Sequence, residues 1–161
     1  MPSTRIDAPD GVPFIDVSRE FAAPRDLVFR AHTEPDLLVQ WMGPRKYEMT
    51  IDAWEPRDGG RWRFVHSDDA GNAYGFHGVF HGEQTPDGML QTFEFEGAPG
   101  HVSLDSLRLE ESDGRTVVHT HSVYQSIEAR DAMIAGGMED GMNDGYDRLD
   151  DLLASLRQPV A

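Results

Sequence analysis

From Phe14 to Phe21 polar and apolar positions alternate around Ile15, Val17 and Arg19, a period of two that predicts a β-strand. Pro24 then opens PRDLVFRAH and Pro35 opens PDLLVQW, two short helical patterns with proline at the start, the second stopped by Gly43-Pro44. Strand-like runs follow at Tyr47 to Glu55, Arg61 to His66, Tyr74 to Glu83, Leu90 to Glu96, Val102 to Glu110 and Thr116 to Tyr124. Turn chemistry separates them: PRDGG, DDAGN, TPDG, GAPG and SDG. The tail from Ser126 to about Leu156 predicts a single long helix. Consecutive strands joined by tight turns make an antiparallel sheet, and a long terminal helix must lie across its apolar face. The class is α+β, in the order strand, two helices, six strands, helix.

The terminal helix carries glycines at 137, 141 and 145, each costing about 1 kcal/mol relative to alanine in a helix interior. A helical wheel brings Ile134, Met138, Met142, Leu149, Leu152, Leu153 and Leu156 to one face and Asp140, Asp144, Asp147 and Asp151 to the other. Gly141 and Gly145 fall on the apolar side. They are expected to face the sheet, either letting the backbones approach closely or leaving open volume.

At 161 residues and 39% hydrophobic, the chain suits one domain with a substantial core. The expected limits are 14–156, with 1–13 an amino-terminal extension and 157–161 a carboxy-terminal tail. No run approaches a membrane span and the amino terminus does not resemble a signal peptide, so the expected compartment is the cytoplasm, without membrane insertion. The 29 acidic residues outnumber the 14 basic ones for a net charge of -15, and Lys46 is the only lysine. Such a field repels phosphate backbones, so nucleic acid is not an expected partner. The absence of cysteine removes disulfides, thiolate metal sites and a cysteine nucleophile.

GMEDGMNDGYDRLDDLL, PDLLVQWMGP and EPRDGGRWRF, taken together and in this order, resemble the activator of heat-shock-protein ATPase homologue family of the START-like (SRPBCC) superfamily, from about Phe14 to Leu156. The resemblance implies a helix-grip fold. In it a curved seven-stranded antiparallel sheet wraps around the long carboxy-terminal helix, with two short helices after strand one and, typically, an apolar-ligand cavity between helix and sheet. The superfamily spans carriers, hormone binders, cyclases, resistance proteins and co-chaperone domains, so chemistry has to be read from the residues.

Strand parity puts Trp62, Phe64 and His66 on one side, with Tyr74, Phe76, Gly78 and Phe80, then Phe93 and Phe95, and then Val117, His119, His121 and Val123 forming further single faces. The expected cavity lining is Trp41, Trp54, Phe64, His66, Phe76, Phe93, Phe95, Met138, Met142 and Tyr146, with polarity from His119, His121 and Tyr146. Parity breaks between Leu104 and Leu107, which predicts a β-bulge. His77 and His81, of opposite parity to Phe76 and Phe80, are expected in solvent. His119-Thr120-His121 offers two imidazoles where a catalytic zinc usually takes three protein ligands, so no metal is expected. Phosphate loops, nucleophile elbows and Rossmann fingerprints are absent.

The leading expectation is a binding module for a small hydrophobic or aromatic molecule, needing no cofactor. Two alternatives stay open: a cyclase-like enzyme acting on a carbonyl substrate through His119 or His121, and a chaperone-associated interaction domain. A homodimer through an exposed sheet edge also stays open.

Overall fold

A computed structural model describes residues 3–157; residues 158–161 of the expected tail lie outside the described residues. Its strands are β1 (Arg5–Asp7), β2 (Phe14–Phe21), β3 (Glu48–Trp54), β4 (Arg61–Ser67), β5 (Ala73–Thr85), β6 (Gly88–Phe95), β7 (Val102–Ser112) and β8 (Arg115–Val123). The helices are α1 (Arg25–Thr33) and α2 (Pro35–Leu38) between β2 and β3, then α3 (Ile127–Ala135) and α4 (Met138–Arg157). All strands join one antiparallel sheet in the order β1-β2-β8-β7-β6-β5-β4-β3.

The alternation read along β2 is the burial pattern it adopts: Ile15, Val17, Arg19 and Phe21 are buried and their neighbours are not. Arg19 occupies an apolar-parity position because its guanidinium reaches across to α4, donating to Asp147 at 3.3 Å and Asp150 at 2.5 Å. Its charge also lies over the rings of Phe21 and Tyr146. A buried cation needs such partners to offset its lost hydration. The core gathers Phe21, Val28, Trp41, Trp62, Phe80, Leu109, Leu149 and Leu153 between sheet and helices.

Three expectations need correction. The sheet has eight strands, not seven, because Arg5–Asp7 of the expected extension pairs with Asp16, Val17 and Ser18 of β2. Arg130 of α3 fastens the segment that follows, donating to the carbonyls of Pro9 and Val12. The tail is two helices rather than one. Gly137 takes φ +90, a left-handed conformation that ends a helix and that glycine adopts without steric cost. The break takes Ile134 off the α4 stripe and leaves it 40% exposed. Finally, β7 has no bulge: its register runs unbroken against β6 and β8, and Leu104 simply points outward. The irregularities fall between Ile51 and Ala53 and between His81 and Thr85.

Gly141 and Gly145 do lie within α4, but what they approach is the loop after α2. A Cβ on Gly145 would stand 3.1 Å from the Gly43 nitrogen and 3.3 Å from the Trp41 carbonyl oxygen, whereas one on Gly141 would meet only Pro44, at 3.6 Å. Close backbone approach therefore accounts for Gly145 alone. Gly141→Ala is expected to gain up to about 1 kcal/mol from helix propensity. Gly145→Ala should lose stability despite the same propensity gain, because backbone atoms cannot swing aside. Urea unfolding of the two variants checks the opposite signs.

Candidate functional site

Between α4 and the concave face of the sheet lies a cavity of about 360 Å3, within the usual size range of small-ligand sites. Met138, Met142 and Tyr146 form its helix side, together with Gly141 and Gly145. Trp62 and Phe64 of β4 and Phe93 of β6 form an aromatic wall, and Trp41 and Trp54 stand at the α1–α2 end. All three tryptophans of the chain line this one space.

Trp41 and Trp54 are held by the end of α1. The indole nitrogen of Trp41 donates to the Ala31 carbonyl at 2.9 Å, and that of Trp54 to the Thr33 carbonyl at 3.1 Å. Carbonyls in a last helical turn lack intrahelical partners, and residue 35, whose N–H would serve Ala31, is proline. The two indoles take over that task while their rings turn to the cavity.

The floor follows from cross-strand register. Val17, Thr120, Leu107 and Met89 are successive partners across β2, β8, β7 and β6, and Ile15, Ser122, Asp105 and Gln91 are the next such row. Both rows line the cavity, so a mostly apolar strip lies beside a polar one. Ser103 also lines the space and donates to the Asp105 carboxylate at 3.0 Å. Burial pushes the Asp105 carboxyl above its ordinary range, against hydrogen bonds from Ser122 and Ser103 that favour the ionised form. The nearby Tyr124 phenol is pushed up to about 12, first by burial and then by the charge of Asp105. Tyr146 is raised by burial, with a hydrogen bond to Thr120 and the charge of Arg19 acting the other way. His32, buried at the α1 end, is held below its ordinary value by desolvation, only partly opposed by the Val28 carbonyl 2.8 Å from its Nδ1.

Of the residues expected to line the cavity, the structure brings together Trp41, Trp54, Phe64, Phe93, Met138, Met142 and Tyr146. Phe76 and Phe95 continue the row of Phe64 across β5 and β6, outside the cavity lining: Phe76 packs 5.2 Å from Phe64 and 5.6 Å from Phe93, and Phe95 packs 5.1 Å from Phe76. His66 has the expected parity but continues the aromatic stack beyond the cavity, against Tyr47 at 5.8 Å. Burial, and then the positive charge of Arg148, lower it to about 4.

His119 and His121 are on the opposite face of the sheet. In β8 the inward positions are Thr116, Val118, Thr120 and Ser122, the first two fully buried. The run TVVHTHSV carries apolar residues at both parities, and Val117 and Val123 favoured the wrong one. His121 approaches Asp16 at 2.5 Å and His119 lies 3.7 Å from Glu110, with the sheet between these imidazoles and the cavity. Carbonyl chemistry routed through them has no access to a guest there. His77, as read from parity, lies on the outer face beside Glu94 and Glu96. Among the described residues, no three His, Asp or Glu side chains come together as a metal site. Sequence reasoning missed Asp105, Ser103, Gln91, Thr120 and Ser122, and left Trp62 out of the lining although parity puts it on the side of Phe64. Parity counted back from Leu109 would have carried Asp105 and Ser103 inward.

A model of the family described as activator of Hsp90 ATPase homolog 1-like protein matches residues 22–154. A solved structure from Rhodobacter sphaeroides is similar over 95% of this chain and 99% of its own, at 29% identity and a TM-score of 0.87. One from Arthrobacter aurescens is similar over 94% and 91%, at 24% identity and 0.85. A protein from Mycobacterium smegmatis is similar over 100% and 99%, at 19% identity and 0.81. The last two speak to fold alone. No curated protein matches the chain, and no described helix is long and apolar enough to cross a membrane.

Proposed function

We propose, from the premise that the chain belongs to the activator of Hsp90 ATPase homolog 1-like family, that it is a binding module for a small, mainly apolar molecule. The observation that carries this reading is the 360 Å3 cavity, walled by three tryptophans, two phenylalanines and the methionines of α4. Aromatic rings supply large contact areas, and flexible methionines adapt to the shape of a guest. The ligand-contacting residues in this reading are Trp41, Trp54, Trp62, Phe64, Phe93, Met138, Met142 and Tyr146.

A ligand that binds only the folded state raises its stability by mass action, by about 2.7 kcal/mol at a hundredfold excess over Kd. N-phenyl-naphthylamine, a neutral and mainly apolar molecule of three aromatic rings, should accordingly raise the melting temperature in a saturable, concentration-dependent way. In a Leu107→Trp, Met142→Trp variant the added rings occupy the same space, and the shift should disappear. An unchanged melting temperature for the wild-type protein up to the solubility limit of the probe would sink the reading.

A further inference from the structure

One cavity residue does not suit a purely apolar guest. Asp105 is the only carboxylate among the residues lining the cavity, and no arginine or lysine lines it. Its polar neighbours are uncharged: Ser103 donates at 3.0 Å, Ser122 and Gln91 are its partners across the β7–β8 and β6–β7 ladders, and Tyr124 lies near. The other groups there that could become cationic reduce to His32, which burial holds neutral. A carboxylate withdrawn from water without a counter-charge is costly; it takes up a proton, or it is compensated by a cation at hydrogen-bond distance.

We infer that the polar strip of the floor is a headgroup subsite, and that the molecule held in the cavity is an apolar amine whose ammonium group donates to the Asp105 carboxylate. The inference rests on the cavity-binding reading proposed above. The apolar body would lie along Trp62, Phe64 and Phe93, while Ser103, Ser122 and Gln91 border the ammonium. A carboxylate-headed molecule such as a fatty acid meets a like charge at the same place and is disfavoured. The chain's net charge of -15 acts in the same direction at long range, since a negative field gathers cations and repels anions.

The test uses four probes that share one ring system: naphthylethylamine, naphthylethanol, naphthylacetate and ethylnaphthalene. Calorimetric titration of the full chain at neutral pH should rank the amine first and the acetate last. Hydrogen bonds to charged groups should make the amine about tenfold tighter than the hydrocarbon. Asp105→Asn, which removes a charge that burial disfavours, should erase the amine's advantage and leave ethylnaphthalene binding unchanged. The wild-type ranking reads the proposal without that variant. Equal affinity for amine and hydrocarbon, or an advantage that survives Asp105→Asn, overturns the headgroup subsite while the cavity reading stands. Failure of all four probes to bind removes the cavity reading, and the subsite with it.

Discussion

Trp41→Ala should lower the unfolding free energy by about 4 kcal/mol, the middle of the range for truncating a buried aromatic residue. Two losses add. The first is packing: Trp41 is 4% exposed, stacks on Tyr146 with ring centroids 6.1 Å apart, and meets His32 edge-on at 4.9 Å. The second is polar. Removing the indole leaves the Ala31 carbonyl without a donor, since Pro35 cannot replace it, and an unpaired buried polar group costs about 1–3 kcal/mol. Trp41→Phe separates the two, keeping most of the ring contact and losing the hydrogen bond, and should cost about 1–3 kcal/mol. Urea midpoints of wild type and both variants measure the pair. Equal losses in the two variants would mean that the hydrogen bond contributes everything and the stack nothing.

The second large effect is loss of stability in mild acid. In the folded protein His66 stays neutral down to about pH 4, whereas in the unfolded chain it titrates near its ordinary 6.5. Between those values the unfolded state binds the proton first, so stability falls as pH is lowered through the window. The contribution of this one residue is about 3 kcal/mol across the whole interval. Its physical origin is burial next to Arg148 with an Nε2 that has no hydrogen-bond partner. His32 is lowered by burial too and acts in the same sense. Asp105 acts in the opposite one, because its raised carboxyl favours the protonated folded form. Unfolding free energies from pH 7 down to pH 4.5 should fall less steeply for His66→Leu than for wild type. Parallel slopes would show that His66 is not the residue responsible.

Much of this architecture was legible because local signals and tertiary demands agree. Proline starts, glycine turns and two-residue alternation place six strands and both short helices within a few residues of where they form, and β2 is placed at its observed bounds. The failures share a cause: they depend on partners distant in sequence. Arg5–Asp7 is too short to show a period and becomes a strand only because β2 offers an edge. Gly136-Gly137 looked like two more helical positions, yet the left-handed turn at Gly137 starts a new helix. The aromatic wall was readable because tryptophan, phenylalanine and methionine are large, and burial of their area is strongly favoured. The polar strip was not, because serine, threonine and aspartate on a strand usually mark its solvent face. Asp105 and Ser122 face inward only because Leu109 and Val118 fix the parity of their strands, while adjacent valines in β8 supplied a false alternative.

The most direct test of a ligand-holding cavity uses the tryptophans as reporters, since all three line it. Titrating the wild-type protein with N-phenyl-naphthylamine while exciting tryptophan should quench tryptophan emission and give saturable energy transfer to the probe with one-to-one stoichiometry. The Leu107→Trp, Met142→Trp variant, folded but filled, should show none. Transfer that never saturates, or that is as strong in the filled variant, would contradict the account by placing the probe elsewhere on the protein.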